Sequence, residues 1–170
     1  MLPVIFQPRG RPLIRWSLYF IAVLGLVSVA TAAPWGRTAE GMIVSTASGP
    51  ALCLPRTASV AMSIGIAYVA EVETGRAVKW KISLLPGREP ETFLPGQCIR
   101  YGDRSERYAL ETTGTELELN RKYIFTVDSA RRARTRSEVF SYTGFFCPTL
   151  SSGGGIRYVA VGSGSSETCG

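Results

Sequence analysis

Four cysteines are the residues best able to do chemistry in this 170-residue chain: Cys53, Cys98, Cys147 and Cys169. A thiol can act as a nucleophile, a metal ligand or half of a disulfide. The chain contains no histidine, so neither a Ser-His-Asp nor a Cys-His arrangement can be assembled. No two cysteines lie within four residues of each other, a spacing that disfavours zinc. An even number of cysteines in an exported domain reads first as two disulfides, and four permit three pairings.

Other polar groups give less. Acid pairs such as Glu71/Glu73 and Glu89/Glu91 could in principle do glycosidase work. The first lies on the polar side of an alternating stretch and the second in a Pro-flanked loop, so both read as solvated charge. No phosphate-binding loop motif occurs, and the glycines at 153–155 precede a strand pattern instead of a helix. The run "RRARTR" (Arg131, Arg132, Arg134 and Arg136) could grip a phosphate or an acidic partner. It also suits a solvated hairpin loop that guards a sheet edge. It interleaves no aromatic residue for base stacking, so nucleic acid is not expected. The reading is of a non-enzyme with no metal and no cofactor.

The N-terminus sets the compartment. Arg9, Arg11 and Arg15 precede "WSLYFIAVLGLVSVATAA", Trp16 to Ala33, an uncharged run of 18 residues. A basic flank, an apolar centre and the small-residue exit Ala30-Thr31-Ala32 form a secretory signal, with cleavage expected before Ala33. The alternative is a retained anchor, since the run just reaches the length that spans a bilayer. Membrane contact is expected only through residues 16–33, and only if they are uncleaved. No cysteine follows the run closely, so a lipid-modified N-terminus is not expected. In either case the body faces an oxidising space: periplasmic or otherwise exported, or anchored in the inner membrane with the domain outside the cytoplasm. The formal charge of +6 falls to +3 for residues 33–170, which carry 16 basic and 13 acidic side chains. That balance predicts solubility and a mild preference for acidic surfaces.

The elements that position these groups are strands. Even positions from Met62 read Met62, Ile64, Ile66, Tyr68, Ala70 and Val72, which predicts a strand with a single apolar face. Val78, Trp80, Ile82 and Leu84 continue the pattern across "ETGR" as a β-hairpin, with Trp80 inward and its N–H seeking a partner. Residues 86–95 are turn-rich. Further short runs cover 98–101, 108–110, 117–127, 139–147 and 156–161. In "LELNRKYIFTV" a leucine precedes Tyr123 by six residues across a short turn. That is the spacing of the tyrosine corner of immunoglobulin and fibronectin type III sandwiches, where the Tyr hydroxyl pins the turn. The expectation is an all-β, antiparallel immunoglobulin/fibronectin III-like β-sandwich, preceded by one N-terminal signal or anchor helix. Residues 1–32 are assigned to that segment, 33–41 to a linker, 42–161 to the sandwich and 162–170 to a flexible tail.

Taken in order, "ALCLP", "VKWKISLLPG", "FLPGQCIRYG", "LELNRKYIFTV" and "FFCP" resemble small periplasmic proteins grouped as type VI secretion immunity lipoproteins. In that group a cysteine in an early x-C-[IL]-x-P strand and one in a PGQC segment recur; here they are Cys53 and Cys98. The resemblance covers residues 42–147, and the chain departs from it in lacking the lipobox cysteine. It implies a single immunoglobulin-like sandwich that binds and neutralises a secreted toxin. Cys53–Cys98 is expected as one bridge and Cys147–Cys169 as the weaker second; because Cys169 is the penultimate residue, the alternative is that this second bridge is absent or joins another chain. A protein partner would be met by Arg88 in "PGREPE", Arg104 and Arg107 in "YGDRSER", or the arginine run. The alternative function is a structural or accessory cell-envelope subunit, pilus- or adhesion-like.

Overall fold

Eleven strands and no helix are found among the described residues, 36–73, 77–164 and 169, of a computed structural model. They are β1 (Arg37–Glu40), β2 (Met42–Thr46), β3 (Gly49–Cys53), β4 (Met62–Glu71), β5 (Val78–Leu84) and β6 (Thr92–Phe93), then β7 (Cys98–Arg100), β8 (Tyr108–Thr112), β9 (Tyr123–Ser129), β10 (Val139–Leu150) and β11 (Ile156–Val161). The expected signal or anchor helix falls outside the described residues. Among the described residues no helix is long and apolar enough to cross a membrane.

The fold is all-β, in two sheets. The larger has the order β1-β10-β9-β4-β5-β8, with β11 also on β10 and β6 on β4. The smaller has the order β2-β3-β7. Every pairing is antiparallel except β1 beside β10, which is parallel. Residues 37–40, assigned from sequence to a linker, are therefore a strand of the large sheet. The chain leaves that sheet at Gly41, whose N–H donates to Thr143 O at 2.9 Å, and enters the small sheet one residue later.

The core joins Leu52, Leu54 and Ile99 from the small sheet and its flank to Trp80, Phe125, Val127, Tyr142 and Phe146 from the large one. In β5 the alternation places Trp80 and Ile82 inside and leaves Val78 exposed. In β4 it does not hold throughout. Met62 and Ile64 point inward as the pattern predicts, but a register shift against β9 between Ile64 and Ile66 reverses the parity. Ala67 and Val69 are then fully buried, while Ile66 and Tyr68 are half-buried and Val72 is exposed. One inserted residue moves every later side chain to the other face. Trp80 is fully buried, yet its indole N–H meets no acceptor among the described residues. Its contribution is packing, edge-on to Phe125 with ring centroids 5.8 Å apart and tilted against Tyr101 at 5.9 Å.

Tyr123 opens β9 fully buried, and its hydroxyl accepts the Glu118 N–H at 3.0 Å. Between them the chain turns at Asn120, whose φ of 57° suits the short polar side chain of asparagine. Leu117 is buried beneath the turn. Tyr123→Phe leaves the Glu118 N–H without this acceptor and should cost about 1 kcal/mol in urea denaturation. A variant as stable as the parent would show that the hydroxyl does not hold the turn.

Two disulfides close the structure. Cys53 and Cys98 face each other directly in the β3–β7 register, 45 residues apart in sequence. Cys147 in β10 bonds Cys169, 22 residues on, so the segment assigned as a flexible tail is tied at that point. Lys122 holds it again by donating from Nζ to Gly164 O at 2.6 Å. Two disulfides are compatible with an oxidising compartment.

Candidate interaction surface

Strand direction decides which loops share an end. Cys53 and Cys98 pair at the end of β3 and the start of β7; Ser63 at the start of β4 pairs with β6; Ser129 at the end of β9 pairs with Ile64. Leu84, ending β5, pairs with Tyr108, starting β8. The connections 54–61, 85–97 and 130–138 consequently lie at one end of the sheets, and 101–107, which leaves β7 toward the start of β3, returns to that end at Tyr108.

Backbone bonds stitch these loops together. Gly96 N donates to Leu54 O at 2.9 Å and Leu54 N to Gln97 O at 3.0 Å. Leu85 N donates to Arg107 O at 3.0 Å. The Ser105 hydroxyl donates to the Glu91 carboxylate at 2.6 Å, and Glu91 N–H donates to the Tyr108 hydroxyl at 3.1 Å. That hydroxyl in turn donates to Ile64 O at 3.0 Å. Burial raises the Tyr108 pKa, so the hydroxyl keeps its proton for this bond. On the other flank of β4, Ala130 N donates to Ser63 O at 2.8 Å, while Ile64 N donates to Glu91 O at 3.0 Å. Neighbouring strands lie about 4.8 Å apart, so the two loops flanking β4 start about 10 Å from each other.

The sequence-derived contact candidates are thus brought to one end, in two groups. Arg88, Arg104 and Arg107 belong to the joined 85–97 and 101–107 loops. Arg131, Arg132, Arg134 and Arg136 occupy the β9–β10 loop, all exposed, with Ala133 between them tucked inward. That loop is shaped by Arg134 N–H donating to the Glu138 carboxylate at 2.6 Å. Sequence reasoning missed Arg56, an isolated arginine in the β3–β4 loop; its stem would lie 3.4 Å from a Cβ built on Gly96. Nothing in its neighbours marks it before the loops are joined.

Between these loops opens a cavity of about 240 Å³, with Ile64, Ile82, Phe93 and Ile99 on its floor and Arg100, Arg104 and Ser105 on its rim. A second, of about 420 Å³, shares Glu91 and Phe93 with it and reaches Cys98 and Arg107.

The opposite end has another character. Glu71, whose side chain is 5% exposed, lies 3.8 Å from Lys79 and 3.7 Å from Arg121. Arg121 also reaches Glu73 at 3.3 Å and Glu118 at 3.7 Å, and Lys81 pairs with Glu111. The acids 71 and 73 are therefore engaged by cations. Glu91 is fixed by Ser105, and Glu89 is exposed. Among the described residues no three His, Cys, Asp or Glu side chains could hold a metal ion.

Asp128, near the end of β9, is half-buried, and burial pushes its carboxyl above the ordinary range against a smaller opposing hydrogen bond with Ser141. An acid whose pKa rises on folding favours the folded state below its unfolded pKa and loses that contribution as pH climbs through the folded value. Asp128→Asn should therefore be more stable than the parent at pH 7, with the gap closing in acid. Thermal melts across pH test this; a variant less stable at neutral pH would contradict it.

Compared with protein-family models, curated proteins and solved structures, the chain matches none of them.

Proposed function

We propose that this chain is a periplasmic protein-binding module: an immunity protein that binds and neutralises a toxin delivered by type VI secretion. The two sheets are read as an immunoglobulin/fibronectin III-like sandwich. The hydroxyl of Tyr123 at the head of β9 supports that reading, as does the inward Trp80. Two disulfides support residence in an exported compartment, and the signal-like residues 1–32 point to the periplasm.

One observation carries the functional reading. Four loops gather on a twice-bridged scaffold, and the arginines of those loops make no ion pair among the described residues. Binding proteins place variable loops on rigid sheets in this way. An inhibitor needs a shaped surface and no catalytic group.

The test is survival. A strain deleted for this chain and challenged by toxin-secreting kin loses viability, and re-expression of the exported chain restores it. The same chain without residues 1–32, confined to the cytoplasm, does not. Equal survival of the deleted and complemented strains would remove the immunity reading.

A further inference from the structure

We propose that the arginine-bearing loop end is the partner-binding surface and that its partner presents an acidic protein surface. The inference rests on the binding-module reading above and names the site and the chemistry it takes. Segments 54–61, 85–97, 101–107 and 130–138 carry eight arginines, no lysine and five acids. The remaining described residues carry seven basic and seven acidic side chains. Charge is therefore polarised along the strand direction, positive at the loops.

Pairing sharpens the contrast. At the far end Lys79, Lys81 and Arg121 are all in ion pairs, and Lys122 sits over the Phe145 ring while bonding Gly164. Arg100, at the end of β7, pairs with Asp103, whereas the eight guanidinium groups of the loops make no hydrogen bond or ion pair among the described residues. A loop that only kept an edge soluble would serve equally well with lysine. Exclusive use of arginine suits planar, two-point capture of carboxylates. Protein interfaces are likewise enriched in arginine and depleted of lysine.

Two exposed apolar side chains complete the surface. Val60 is 60% exposed and Leu94 53% exposed, each in a loop that Leu54 helps to join. They supply contact area that steering charges lack. The aromatic rings of these loops, Phe93 and Tyr101, are half-buried against the core, so they form no base-stacking platform. An acidic protein fits this combination better than a nucleic acid.

The chain purified after export should bind fluorescein-labelled poly-L-glutamate in an anisotropy titration, and the binding should weaken with salt. R132Q/R134Q should weaken it about tenfold, since each arginine removed takes charge-assisted hydrogen bonds with it. K81Q/R157Q removes the same charge from elsewhere and should leave affinity unchanged. Matched thermal melts would show that both variants fold. Equal losses in the two variants would overturn the proposal, as would tighter binding to duplex DNA or to phosphatidylglycerol vesicles. If a partner protects cells and binds R132Q/R134Q undiminished, this surface is wrong while the module reading stands. If protection is absent but arginine-dependent binding to poly-glutamate persists, the immunity reading falls and the surface remains.

Discussion

Replacing Cys53 and Cys98 together by alanine should lower the unfolding free energy by about 4 kcal/mol, the chain-entropy cost of freeing a loop of this length. The bridge joins β3 to a strand of only three residues, β7, whose other ladder neighbour is missing among the described residues. The 85–97 loop leads into β7 and the 101–107 loop leads out of it, so the bridge also fixes the surface that carries Arg88, Arg104 and Arg107. The matching pair, Cys147→Ala with Cys169→Ala, closes a shorter loop and should cost about 3 kcal/mol in the same model. Urea denaturation of oxidised protein measures both. A Cys53/Cys98 variant as stable as the parent would mean that β7 holds itself in place.

Gly65→Val should cost about 3 kcal/mol, the upper part of the range for overpacking a tight site. A Cβ at this position would lie 2.7 Å from Ala130 Cα, 2.9 Å from Ala130 N and 3.1 Å from Ser129 O. All three are backbone atoms, so no side chain can swing aside to make room. Gly65 sits within the register shift that turns Ala67 and Val69 inward. Relief of the clash would therefore disturb either the strand pairing or the base of the arginine loop. Gly87→Ala is the control for a change at glycine, because nothing lies within 4 Å of a Cβ there, although its φ of 76° brings some backbone strain of its own. Full retention of stability in Gly65→Val would contradict the close approach of β4 and the β9–β10 loop.

Gly65 and the arginine loop beside it mark what the sequence discloses and what it hides. Period-2 patterning announces β4, β5 and β9, because burial on one sheet face leaves an alternating trace. The same trace misassigns the inward side chains beyond Ile64, since a bulge changes parity without changing composition. A four-residue strand such as β1, with only Ala39 packed on the core, carries no pattern and reads as linker. The arginine run is visible as a string of charge. Its gathering with Arg56 and Arg104 is not, because nothing local in a sequence records which loops share an end.

The parallel pairing of β1 with β10 also bears on how the chain folds. Arg37 lies opposite Val139, so one lateral edge of the large sheet forms only after nearly the whole body has appeared. A chain that emerges N-terminus first must hold residues 37–40 without their neighbour while every intervening strand is laid down. Non-local pairing of this kind puts β-proteins among the slow folders, in milliseconds to seconds, with unpaired edges exposed meanwhile. Assembly of this sheet is a process that begins at one terminus and waits for the other.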